Sequence, residues 1–136
     1  ASAMFVRGVE GGIIPSLQQA GKLFHYHHQD EEKQWDLMPS ELGIHALSRA
    51  VPLPEDMPAP NDEVALVNSD ALAAHAATLG LAALAGEKGL MYDSLVYASA
   101  ICLTHLGRFK QLSDAAQAVR DVLNNGQALQ AFKAVA

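Results

Sequence analysis

Apolar positions change their spacing along this chain, coming in short runs before about residue 50 and at helical intervals after about residue 69. Met4-Phe5-Val6 is a brief apolar run halted by Arg7-Gly8, as in a buried strand that reaches a turn. Lys22 to His28 is aromatic-rich and opens after Ala20-Gly21, which suits a second strand. Gln34 to Met38 alternates weakly and reads as its hairpin partner across the charged turn Asp30-Glu31-Glu32. Ile13 to Leu17 is a candidate to pair on the other side, with Pro15 restricting it to an edge or a strand start. A strand so close to residue 1 is expected to be an inner member of a sheet whose other strands lie outside this sequence.

Pro52, Pro54, Pro58 and Pro60 forbid a helix interior or a central strand, so residues 51–62 read as an extended connector. Beyond it Ser69 is expected as an N-cap, with Asp70 favourable in the first turn. Leu72, Ala76, Leu79 and Ala83 then repeat at helical spacing up to Gly86. A second helix is expected from Leu90 to Leu106, stopped by Gly107. Met91, Leu95, Ala98, Cys102 and Leu106 mark one of its faces. Val96, Tyr97 and Ile101 make the other side apolar too, so it should be buried on more than one side. A third helix from Ser113 to Asn124 should bury Ala116, Val119 and Leu123, and a short fourth lies around Leu129 and Phe132. The organisation is therefore a strand-rich segment (1–50), a proline-rich connector (51–62) and a helical C-terminal segment (63–136) of the same domain.

Composition narrows the class. The chain has 136 residues, half of them hydrophobic, and a formal net charge of −6. That length holds one domain at most, and fifteen acidic against nine basic residues disfavour a nucleic-acid face built from this segment alone. The single cysteine rules out a disulfide framework and points to a reducing, cytoplasmic setting. Ala1 to Val6 carries no basic region of a signal peptide. Leu90 to Leu106, the longest mostly apolar stretch, is too short and too polar to cross a bilayer, so no membrane partner is expected.

The candidate chemistry is sparse. His25 and His27 should project from one face of a strand and His28 from the other, and two imidazoles at that spacing can share a metal. His45, His75 and His105 stand alone in the sequence, so the pattern is read as a solvated polar hairpin and no metal ligand is assigned. Cys102, in an apolar stretch, is expected to behave as a small hydrophobe. Arg7-Gly8-Val9-Glu10-Gly11-Gly12 remains. A strand that ends in a Gly-rich turn is where α/β sheets place ligands, although this one fits no phosphate-loop fingerprint. Arg7 and Glu10 are the substrate-binding candidates, Arg7 suiting a phosphate or carboxylate through its planar fork.

The order of these features resembles the C-terminal part of the anthranilate phosphoribosyltransferase family. Ala3 to Gly11 carries the first part of that resemblance, and Met38-Pro39-Ser40-Glu41-Leu42-Gly43-Ile44 is similar to the family's x-P-E-D-F-G turn. Gly86-Glu87-Lys88-Gly89, Tyr92 to Ala98 and Leu123 to Leu129 are similar to its G-x-x-G-x-x-R-D-x-V-x-x-N-A and I-D-S-G-K-A signatures. The resemblance spans nearly the whole chain but less than half of a family member.

It implies an α/β fold of the phosphoribosyltransferase (nucleoside phosphorylase) type, with short strands and a hairpin followed by a helical half. The implied reaction joins an aromatic amine to the ribose of phosphoribosyl pyrophosphate, with magnesium ions at the leaving pyrophosphate. The family's Gly-rich pyrophosphate loop and most of its amine contacts would belong to an N-terminal portion not contained in this sequence. Laid on the family's H-G-x-D-G-L-D-E motif, this chain reads Arg7 to Ile14, and the magnesium-binding pair falls on Ile13 and Ile14. Hydrocarbon cannot ligate Mg²⁺. The resemblance therefore implies a diverged branch that lacks the usual metal-dependent transfer. In that branch no residue of this segment is catalytic and no cofactor binds to it, Mg²⁺ being required only if the whole protein is an active family member. The implied partners are the protein's own N-terminal portion, a second copy in a full-length homodimer, and a phosphoribosyl pyrophosphate-like ligand. One alternative is a true phosphoribosyltransferase with its catalytic residues elsewhere, and another is a nucleic-acid-binding protein on the same fold.

Overall fold

The computed structural model describes residues 2–9, 14–27, 32–54 and 69–135. Within them the chain is mixed α/β, with a three-stranded antiparallel sheet and four helices. Strands β1 (Ser2–Val6), β2 (Gly21–His27) and β3 (Lys33–Leu37) lie in the order β1-β2-β3. A short 3-10 helix (Pro39–Leu42) follows β3. Helices α1 (Ser69–Leu84), α2 (Leu90–His105), α3 (Leu112–Asn124) and α4 (Gln127–Val135) complete the chain.

The register sorts the side chains by face, because opposed residues in antiparallel strands point the same way. Val6, Leu23 and Trp35 lie across from one another, as do Met4, His25 and Lys33. This inner face meets the helices, and Leu23 is fully buried in one core cluster with Leu37, Val96, Tyr97 and Ile101. Phe5, Phe24 and Tyr26 occupy the other face. Phe5 is 62% exposed there and meets Tyr26 edge to face.

Several expectations change at this level. Among the described residues β1 pairs with β2 alone, which leaves its other edge unpaired there. The side of β2 proposed for Ile13 to Leu17 is taken by β1. Ser16 and Leu17 instead form an irregular segment, with Leu17 buried and its N–H donating to the Arg49 carbonyl (2.9 Å). Helix α2 is buried on more than one side, as expected, but two positions differ. Val96, Tyr97 and Ile101 are in the core, whereas Cys102 is exposed and Leu106, just past the helix, is 61% exposed. Cys102 is therefore not a core hydrophobe. Met91 and Leu95, on the same face as Cys102, do pack against the core, which α1 and α3 help to cover. On α1, Ala83 is buried but Ala76 is exposed. Ser69 is the first residue of α1, and the connector residues 55–62 lie outside the described residues.

The segments that carried the family resemblance in the helical half pack on each other. Gly86 adopts φ +89°, and a Cβ there would sit 3.1 Å from the Leu123 carbonyl oxygen. Lys88 donates to Asn124 Oδ1 and lies 3.8 Å from the Tyr92 ring centroid, and the Tyr92 hydroxyl donates to the same oxygen (3.1 Å). Arg120 reaches from α3 to the Leu42 carbonyl, tying the 3-10 turn to the helices. Burial raises the Asp93 pKa, opposed by the Arg120 and Lys88 charges. These residues hold α2 against α3. Gly86→Ala should cost roughly 1–3 kcal/mol through strain at positive φ, measurable by urea denaturation; an unchanged midpoint would show that this turn tolerates a side chain.

Candidate functional site

A cleft opens where β1 ends. Val6 is the last residue of the strand and Arg7 emerges from its end. The chain comes back towards the sheet with the Val9 N–H donating to the Ile14 carbonyl (2.9 Å). Ser16 Oγ then accepts from the Gln18 and Gln19 N–H groups (3.2 and 3.0 Å), a side-chain turn that fixes the next bend. Two bonds stitch this segment to residues 47–49: Leu17 N–H to Arg49 O, and Gln18 Nε2 to Leu47 O (3.1 Å). The stitching places Arg49 beside the strand end. Because Val6 pairs with Leu23, the antiparallel register places Lys22 next to Arg7.

The result is a cavity of about 600 Å³ lined by Arg7, Lys22 and Arg49, with Ser16, Gln19 and buried Tyr97 among its other walls. No carboxylate is among its described lining residues; the nearest in register is Asp36, opposite Lys22 on β3. Three of the nine basic residues of an acidic chain therefore share one opening. Such a set suits an anion with several oxygens, with the two guanidinium forks able to bind it bidentately.

Arg7 was legible in the sequence as a strand-end residue. Lys22 and Arg49 were not. The strand register would have revealed Lys22, whereas nothing local marks Arg49. Glu10, the other sequence candidate, lies outside the described residues, as does Ile13. Ile14 is half-exposed hydrocarbon, and its carbonyl accepts from the Val9 N–H.

A second constellation lies on the inner face of the sheet. His25 and His27 point the same way from β2, as their spacing predicts, while His28 lies outside the described residues. His105 does not stand alone as the sequence suggests, because the last turn of α2 closes it against this pair. One nitrogen from each of the three rings lies within 4.8 Å of the other two. The His27 and His105 rings are stacked at 4.6 Å, and Trp35 covers His25 at 4.0 Å between centroids. His25 is 3% and His105 5% exposed, yet both nitrogens of His25 and Nδ1 of His105 lack a hydrogen-bond partner. Burial, aided by the nearby His27, His105 and Lys33 charges, lowers the His25 pKa below the ordinary histidine value. Burial and His27 do the same to His105.

Among the described residues no helix is long and apolar enough to cross a membrane. No protein-family model matches the chain, and no curated protein matches it either.

Proposed function

We propose that the strand-end cleft holds the phosphate groups of a ligand, and that the chain serves as the C-terminal portion of a diverged phosphoribosyltransferase-like protein. The observation that carries this reading is the convergence of Arg7, Lys22 and Arg49 on one cavity without a described carboxylate. The resemblance to the anthranilate phosphoribosyltransferase family supplies the ligand class, a phosphoribosyl pyrophosphate-like molecule. The hydrocarbon at Ile14 argues against the usual two-carboxylate magnesium site, so binding without metal-dependent transfer from this portion is the reading. In the same reading an N-terminal portion contributes the pyrophosphate loop, and the full-length protein is a homodimer.

The test is titration of the chain with pyrophosphate, measured by calorimetry. Arg7→Ala and Arg49→Ala should each weaken binding about tenfold or more, the loss expected for a hydrogen bond to a charged group. Unchanged affinity in both variants, with the fold intact, would show that the cleft is not the binding site.

A second reading has its own observation. The outer face of the sheet carries exposed Phe5 with Tyr26 beside it, and Phe24, on that face, also lines the cationic cleft. Aromatic faces beside cations are the parts from which single-stranded nucleic-acid sites are made. A thymidine oligonucleotide should then bind with an affinity that falls steeply with salt and drops further in Phe5→Ala. Binding of pyrophosphate but not of the oligonucleotide at low salt would leave only the first reading.

A further inference from the structure

We propose that His25, His27 and His105 form a zinc site, with three imidazole ligands and a fourth position open to water or an anionic ligand. Tetrahedral zinc–imidazole bonds of about 2.0–2.1 Å place ligand nitrogens roughly 3.3 Å apart. The three rings here present nitrogens within 4.8 Å of one another, and the soft χ2 torsion of histidine allows the remaining closure.

Burial supplies an independent observation. Two of the rings are almost fully enclosed, and three of their nitrogen atoms have no partner. Buried imidazole nitrogens without a hydrogen bond are costly in a native interior. A bound cation gives one nitrogen of each ring a partner, leaving the second His25 nitrogen buried without one. His105 also ends a sixteen-residue helix, where the helix dipole favours positive charge. Lys33, across from His25, opposes a cation, and its exposure to solvent weakens that opposition.

Ligand chemistry selects the metal. Three neutral nitrogens suit zinc and its late-transition neighbours, whereas Mg²⁺ demands oxygen, so this is not the magnesium chemistry that the family resemblance implies. His27, the partly exposed member of the trio, marks the side from which the metal and a fourth ligand enter. Three imidazoles leave the full double charge on zinc, so an anion or a bound hydroxide fits the open position.

The test uses the chelator-treated chain titrated with zinc alone, with cobalt(II) as a spectroscopic substitute. One equivalent of zinc should bind and raise the melting temperature, and cobalt should give the intense visible bands of a four-coordinate site. His105→Ala and His27→Ala should each weaken zinc binding at least a hundredfold. His25→Leu should abolish binding, and its melting temperature without metal should equal or exceed that of the parent. His45→Ala and His75→Ala, at solitary histidines, should change neither. Absence of stoichiometric binding, or binding that survives the loss of His25 and of His27, would overturn the proposal. Should His25→Leu fail to fold, His27→Ala at its partly exposed position decides between the same two outcomes.

Discussion

Replacing Leu23 with alanine should destabilise the chain by about 3–4 kcal/mol, the usual cost of removing a well-packed leucine side chain and leaving part of its volume empty. Leu23 is fully buried on the middle strand, with Val6 and Trp35 opposite it on the two neighbours. No neighbour can relax into the space without moving a strand. Small domains of this size retain only about 5–15 kcal/mol in all, so the variant should unfold at distinctly lower urea. Leu47→Ala is the control. That leucine is 95% exposed and its loss should lie within about 0.5 kcal/mol of zero. A Leu23→Ala loss no larger than the control's would mean that the sheet does not pack on the helices.

Alkaline pH should expose a second weakness. Tyr97 is 1% exposed on α2, and burial, reinforced by the Glu41 charge, raises its pKa to about 12. In the unfolded chain the same phenol ionises near pH 10. Between these values the unfolded state releases a proton that the folded state retains, so raising the pH favours unfolding. The stabilisation is whole below about pH 10 and is lost as the pH climbs through about 12. The loss amounts to roughly 2–3 kcal/mol from this one group. Urea denaturation at a series of alkaline pH values should show the decline, and Tyr97→Phe should remove most of it. If the phenylalanine variant declines as steeply as the parent, other groups carry the alkaline sensitivity.

The same burial logic separates the two candidate sites. The cleft of Arg7, Lys22 and Arg49 is open, so its cations remain hydrated and available to a ligand at modest desolvation cost. The histidine trio is enclosed, and its unpartnered nitrogens lie where a hydrogen bond or a metal has most effect. Zinc binding and pyrophosphate binding draw on different residues. Each can fail without the other, which keeps the two readings separately testable.

Much of the architecture was legible in local pattern. The strands, the hairpin across residues 28–32, the four helices and the glycine stop at Gly107 follow from run length, alternation and helical spacing. These are short-range preferences that a sequence expresses directly. Arg7 was legible for the same reason, as a charge placed immediately after an apolar run. The helix faces were harder to read. Helix α2 is apolar nearly all round, so periodicity could not say which side a sheet of only three strands would cover.

Both sites depended on contacts between distant segments. Arg49 joins Arg7 and Lys22 because the Leu17 and Gln18 backbone and side-chain bonds draw residues 47–49 to the strand end. His105 joins His25 and His27 because the core of Leu23, Val96, Tyr97 and Ile101 seats α2 on the inner face of the sheet. By itself the sequence determined which residues could form strands and helices, and in what order, since those choices are settled within a few residues. Only the tertiary structure decided which solitary histidine would meet a pair and which arginine would complete a cleft. Those positions follow from how the buried apolar surfaces fit together, and no local pattern encodes that fit.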